Sequence, residues 1–88
     1  MKYAQNLFVN YRVINNTTYV VLKEDAFILD EVGQLIWKEI GDGNTLENVI
    51  TSVKETYKIN HSNIDHIEKD IEDFINDLLN NKLIEAIS

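Results

Sequence analysis

Eighty-eight residues without a cysteine, carrying eight basic and fifteen acidic side chains for a formal charge of −7, exclude several classes of protein at once. A chain this short makes one domain that buries only about 60 to 65% of its unfolded surface, and the missing cysteines rule out a disulfide framework or a thiolate metal site. The negative charge opposes the phosphate backbone that a nucleic-acid binder must neutralise.

The chain begins Met1-Lys2-Tyr3-Ala4-Gln5-Asn6, which lacks the apolar core of a signal peptide, and no apolar run approaches the roughly 20 residues of a membrane helix. A soluble cytoplasmic domain is the expectation. Residues 7–29 then predict three short strands. In Leu7-Phe8-Val9-Asn10-Tyr11-Arg12-Val13, the residues Val9, Tyr11 and Val13 alternate with Asn10 and Arg12, the period of a strand with one buried face. Asn15-Asn16 is a turn signal, because asparagine tolerates the left-handed conformation. Thr17 to Leu22 is rich in β-branched and aromatic residues, and Lys23-Glu24-Asp25 is short enough to return the chain for a third strand.

The third strand, Ala26-Phe27-Ile28-Leu29, runs directly into a helix that Asp30 is placed to cap. Phe27 and Leu29 share one face of this strand, and Ile28 points the other way. The strand is expected at a sheet edge, where its unpaired backbone is a hazard unless something is meant to pair with it. Val32, Leu35, Ile36 and Ile40 recur at helical spacing, and Gly41-Asp42-Gly43 ends the helix. Trp37, beside Ile36, is read as core.

A second helix begins at Asn44 or Thr45 and carries Leu46, Val49, Ile50, Val53 and Tyr57. Lys58-Ile59-Asn60-His61 is a connector, and Ser62 with Asp65 three residues on is a variant of the capping box. The third helix bears Ile64, Ile67, Ile71, Phe74, Ile75, Leu78 and Leu79, a stripe too broad for one neighbouring helix, so it must meet the sheet as well. Leu83-Ile84-Glu85-Ala86-Ile87 forms either a short terminal strand or an apolar tail. The fold class is therefore α+β: a three-stranded antiparallel sheet followed by three helices, in the manner of a winged helix-turn-helix.

Little of this sequence points to catalysis. His61 and His66 are five apart, which on a helix aims them in different directions, unlike the i, i+4 pair of a helical zinc site. Ser52, Ser62 and Ser88 lack a nucleophile-elbow context, Gly41-x-Gly43 is too short for a phosphate loop, and adjacent acids such as Glu72 and Asp73 diverge around the helix. The expectation is a binding protein without metal or cofactor. From Asn60 onward the chain has seven acids against two bases, a local charge of −5. Within it, Asp70, Asp73 and Asp77 line up as one acidic ridge beside the apolar stripe, either a solvated face or a patch that steers a basic partner.

The order of Phe27, Leu29 and Asp30, then Gly33, Ile36 and Trp37, then Asp42-Gly43 and Thr45, resembles the PqqD-like family, small domains that recognise the leader region of ribosomally made precursor peptides. The resemblance extends over most of the chain and rests on structural positions, with no catalytic residue in it. It implies a non-enzymatic domain whose partners are a precursor peptide and a modifying enzyme, such as a radical S-adenosylmethionine protein or a leader peptidase. Under it, Ala26, Phe27, Ile28, Leu29 and Asp30 offer a strand edge to an extended peptide, and Ile67, Asp70, Ile71 and Phe74 supply the wall and pockets for its side chains. Two other classes fit the element order: a DNA-binding winged-helix regulator, which the charge opposes, and a small scaffolding subunit of a larger enzyme.

Overall fold

The computed structural model describes residues 2–57 and 64–87. The elements run β1 (Lys2–Gln5), β2 (Asn10–Ile14), β3 (Thr17–Leu22), β4 (Asp25–Leu29), α1 (Glu31–Ile40), β5 (Asn44–Thr45), α2 (Leu46–Tyr57), α3 (Ile64–Asn80) and β6 (Ile84–Ile87). The meander and the three helices are those the periodicity predicts. The connector at 58–61, the Ser62 cap and His61 lie outside the described residues.

Both hairpins of the meander close on two residues. Asn15 and Asn16 take φ of 51° and 65°, the pair of left-handed residues that a tight hairpin turn demands, and Lys23 takes 56° in the turn from β3 to β4. Such turns make Ile14↔Thr17 and Leu22↔Asp25 hydrogen-bonded pairs, and every second pair after them repeats the pattern. On β4 the backbones of Asp25, Phe27 and Leu29 therefore face β3, whereas those of Ala26 and Ile28 face outward. Among the described residues, no strand lies beyond β4 in its sheet, whose order is β2-β3-β4.

A second sheet, of order β5-β1-β6, was not legible in the sequence beyond the choice left open at residues 83–87. Its middle strand is the amino terminus: Lys2 pairs with Thr45 on one side and Ile87 on the other, so β1 ties the α1–α2 connection to the end of the chain. Gln5 fastens it further, with its backbone N–H donating to the Gly41 carbonyl at 2.9 Å and its side-chain amide to the Trp37 carbonyl at 2.7 Å. The second helix, expected from Asn44 or Thr45, begins instead at Leu46 because those two residues are drawn into this sheet.

The first strand differs from expectation at both ends. Asn6 accepts through Oδ1 from the Phe8 N–H at 2.9 Å and through its carbonyl from Val9 at 3.1 Å, which makes a turn of residues 6–9 and delays the strand to Asn10. Val9 packs on the core, but Tyr11 and Val13 stay exposed although they share the face of Val20 and Thr18, because the far edge of the sheet extends past the helices that cover its middle.

The core sits between the β2-β3-β4 sheet and the helices and includes Val20, Leu29, Ile36, Trp37, Ile40, Val49, Val53, Ile71, Ile75 and Leu78, closed at one end by Leu83 and Ile84. Trp37 is 4% exposed and belongs to this core. Asp30 caps α1, its Oδ1 accepting from the Gly33 N–H at 2.7 Å, a contact of a type that contributes about 1 kcal/mol. Gly41 ends the helix at φ 46°, a conformation that costs a side-chain-bearing residue more than glycine. The third helix ends in a Schellman turn, in which Leu83 N–H reaches the Leu78 carbonyl at 2.9 Å and Lys82 N–H the Leu79 carbonyl at 3.0 Å. That turn directs the chain back into β6.

Candidate functional site

An open groove of about 370 Å³ lies where β4 hands over to α1, between the first turns of α1, the end of α2 and the first half of α3. Its floor is apolar, built from Ile36 of α1, Val53 of α2 and Ile71 of α3, all of which also belong to the core. Ile67 and Phe74, one turn either side of Ile71, form the wall, since residues at i±3 and i±4 share a helix face. Val32 and Tyr57 complete the apolar lining, and Asp30 and Asp70 are its acidic members.

Gly33 sets the width at one end. A Cβ there would stand 3.1 Å from the tip of the Phe74 ring, so the absence of a side chain lets Phe74 lie against the first turn of α1. Two helices thus approach beside the groove without filling it. Lys54 Nζ meets Glu68 Oε1 at 2.5 Å and links α2 to α3, although a pair this exposed contributes at most about 1 kcal/mol.

Of the residues singled out from the sequence, Asp30, Ile67, Asp70, Ile71 and Phe74 come together around this groove. Ala26, Phe27, Ile28 and Leu29 form the strand that leads into it, and they divide by register. Phe27 and Leu29 turn their side chains into the core and their backbones toward β3, so both are committed to the domain itself. Ala26 and Ile28 have outward backbones and exposed side chains, Ile28 at 67%. The free edge of β4 thus presents the N–H and C=O groups of those two residues.

The acidic ridge is only partly where the helical spacing put it. Asp70 borders the groove, whereas Asp73 and Asp77 are exposed and absent from its lining. Asp73 lies roughly 60° further round α3 from the apolar stripe, and Asp77, on nearly the same face as Asp70, lies about 10 Å further along the helix, past the mouth. Asp30 is the second carboxylate at the groove instead. Val32, Gly33, Ile36, Val53 and Tyr57 also line the groove and were not singled out as site residues from the sequence. The signal for Tyr57 was its place at the end of an apolar helical stripe, where α2 runs out from under its neighbours. Its phenol is pushed above the usual tyrosine value by desolvation and, after that, by Glu31 and Asp30.

Among the described residues, no three His, Asp or Glu side chains are placed to hold a metal ion, and no helix is long and apolar enough to cross a membrane. The helix that would enter a DNA groove in a winged-helix regulator carries Asp65, Glu68, Asp70, Glu72, Asp73 and Asp77 against Lys69 alone. That charge repels a phosphate backbone.

Comparison with known proteins gives a consistent result. The chain is similar to the solved structure of TbiB1 in complex with the TbiA(beta) leader peptide, with a TM-score of 0.77 and 23% identity over 97% of this chain and 98% of that one. At that identity the likeness establishes the fold. No curated protein matches the sequence. The profile of the family described as Coenzyme PQQ synthesis protein D (PqqD) matches residues 18–84, from the second strand of the meander to the start of β6, and the chain belongs to that family.

Proposed function

We propose that this domain binds the leader segment of a ribosomally made precursor peptide as an extra strand on β4 and presents the remainder of the peptide to a separate modifying enzyme, without catalysing a step itself. The observation that carries this reading is the free backbone of Ala26 and Ile28 running into an apolar groove. An extended peptide that pairs with that edge sends alternate side chains toward the helices, where the groove receives them. Family membership and the leader peptide bound to the similar TbiB1 structure support it.

Rate enhancement by such a protein follows from effective concentration. Holding leader and enzyme together makes the meeting of the peptide's reactive part with the active site intramolecular, at roughly millimolar local concentration for a short flexible tether. Release must follow each turnover, so a dissociation constant on the order of a micromolar, about −8 kcal/mol, suits the role.

Fluorescence anisotropy with the labelled leader segment of a ribosomally made precursor peptide tests the proposal. Saturable binding near the micromolar range is expected, with no competition from duplex DNA. Equal affinity for the leader and its scrambled sequence would refute specific recognition, and displacement of the leader by duplex DNA would revive the DNA-binding class.

A further inference from the structure

The groove combines an apolar floor with a rim of one charge sign. Asp30, at the N-cap of α1, and Asp70 of α3 both line it, and Glu31, exposed on the first turn of α1 beside Asp30, joins Asp30 in raising the Tyr57 phenol. The Asp30 carboxylate spends one oxygen on the Gly33 N–H, which leaves Oδ2 without a bond to the helix. Among the described residues, no cation in the lining answers these groups. On the three contributing helices, Lys38 lies in the last turn of α1, at the opposite end of that helix, Lys54 is held by Glu68, and Lys69 is an exposed residue outside the lining. Among the described residues, the acids at the mouth therefore face whatever enters, with no cation in the lining to balance them.

We propose that the groove selects leader peptides in which a lysine or arginine stands two residues from a large apolar side chain. This deepens the leader-binding reading and rests on it. The spacing comes from strand geometry: residues two apart on an added strand face the same side, about 6 to 7 Å from one another. When a leucine- or phenylalanine-sized side chain reaches the floor of Ile36, Val53 and Ile71, the residue two positions away comes over the rim. A lysine or arginine there lays its methylenes on apolar surface and carries its charge to the carboxylates, as long cationic side chains do at the edge of apolar patches. A glutamate in the same place meets two or three like charges. The Tyr57 hydroxyl accepts a hydrogen bond from the cation without adding a charge of its own.

Selection from a random short-peptide library displayed in vitro, run on the wild-type domain and on the Glu31→Gln, Asp70→Asn double variant, reads this directly. Asp30 is left in place because it caps α1. On the wild type, the selected peptides should carry an apolar anchor with lysine or arginine enriched two positions away. The best of them, resynthesised with glutamine for that basic residue, should bind about two- to fivefold more weakly for each carboxylate it had engaged, and the difference should shrink at high salt. The double variant should select the same apolar anchor without the basic neighbour. An apolar anchor with no basic preference on the wild type, or an unchanged preference on the double variant, overturns the inference and leaves strand addition standing. Selected peptides that leave the Ile28 amide exchanging freely, or a library that yields no enriched sequence, overturn strand addition together with it.

Discussion

Ile28→Pro is expected to lower leader affinity by more than about tenfold while leaving the domain folded. The Ile28 backbone faces away from β3, so proline removes an N–H that the fold does not use. Its side chain is 67% exposed, so little packing is lost. Proline is tolerated on edge strands for this reason, and it requires of the preceding residue only the extended conformation that Phe27, within β4, already has. For an added strand the loss is large: the donor is gone, worth about 0.5 to 1.5 kcal/mol net, and the ring occupies the line of approach. Phe27→Pro is the counterpart. There the N–H faces β3, and the same substitution should cost about 3 kcal/mol or more in stability. Circular dichroism with anisotropy on both variants separates the cases; a folded Ile28→Pro that binds as the wild type does would exclude pairing along β4.

Ile71→Ala should produce the largest change in stability. Ile71 is 2% exposed and serves both the core and the floor of the groove. Removing its side chain costs about 2 to 5 kcal/mol, which is a large share of the roughly 4 to 13 kcal/mol that a domain of this length holds. Thermal melting should move down by roughly 10 °C or more. Part of any loss of binding would then reflect unfolding. Ile71→Val separates the effects, because it costs only about 0.5 to 1.5 kcal/mol and keeps the chain folded. Urea denaturation should give the stabilities, and affinity per folded molecule should fall for both variants. An unchanged affinity for folded Ile71→Val and Ile71→Ala would remove this residue from the site.

The extent to which the fold could be read from sequence depends on how local each determinant was. Asp30, the Val32-to-Ile40 spacing and Gly41 act within a few residues of one another, and α1 has the limits they imply. The Asn15-Asn16 turn is equally local and sets the register of the whole meander. By contrast, β1 exists because Lys2–Gln5 pairs with segments some forty and eighty residues away, and nothing in Lys-Tyr-Ala-Gln announces that. Leu7 and Phe8 misled for a related reason. They look like strand residues, yet Asn6 turns the chain and leaves them 92% and 82% exposed.

The candidate site divides along the same line. Ile67, Ile71 and Phe74 were visible as one face of a helix, and their place at the groove follows from that face meeting α1. The contribution of Gly33 to the groove was hidden, because its place in the family pattern does not show the Phe74 ring that lies against it. Which acids of α3 reach the mouth was hidden too, since it depends on how α3 is rotated against its neighbours. The backbone of Ala26 and Ile28, which the proposed function uses most, could be assigned only once the two-residue turns had fixed which pairs are hydrogen bonded.

Amide hydrogen exchange with and without bound leader tests strand addition on β4 most directly. Strand addition on β4 predicts that the leader slows exchange at Ala26 and Ile28, whose N–H groups face outward, and changes Phe27 little, because its N–H is already bonded to β3. Tyr11 and Val13, the outward-facing amides of the opposite edge, should exchange as before. Protection confined to Tyr11 and Val13, or a saturated leader complex in which Ala26 and Ile28 exchange as fast as in the free domain, would contradict it.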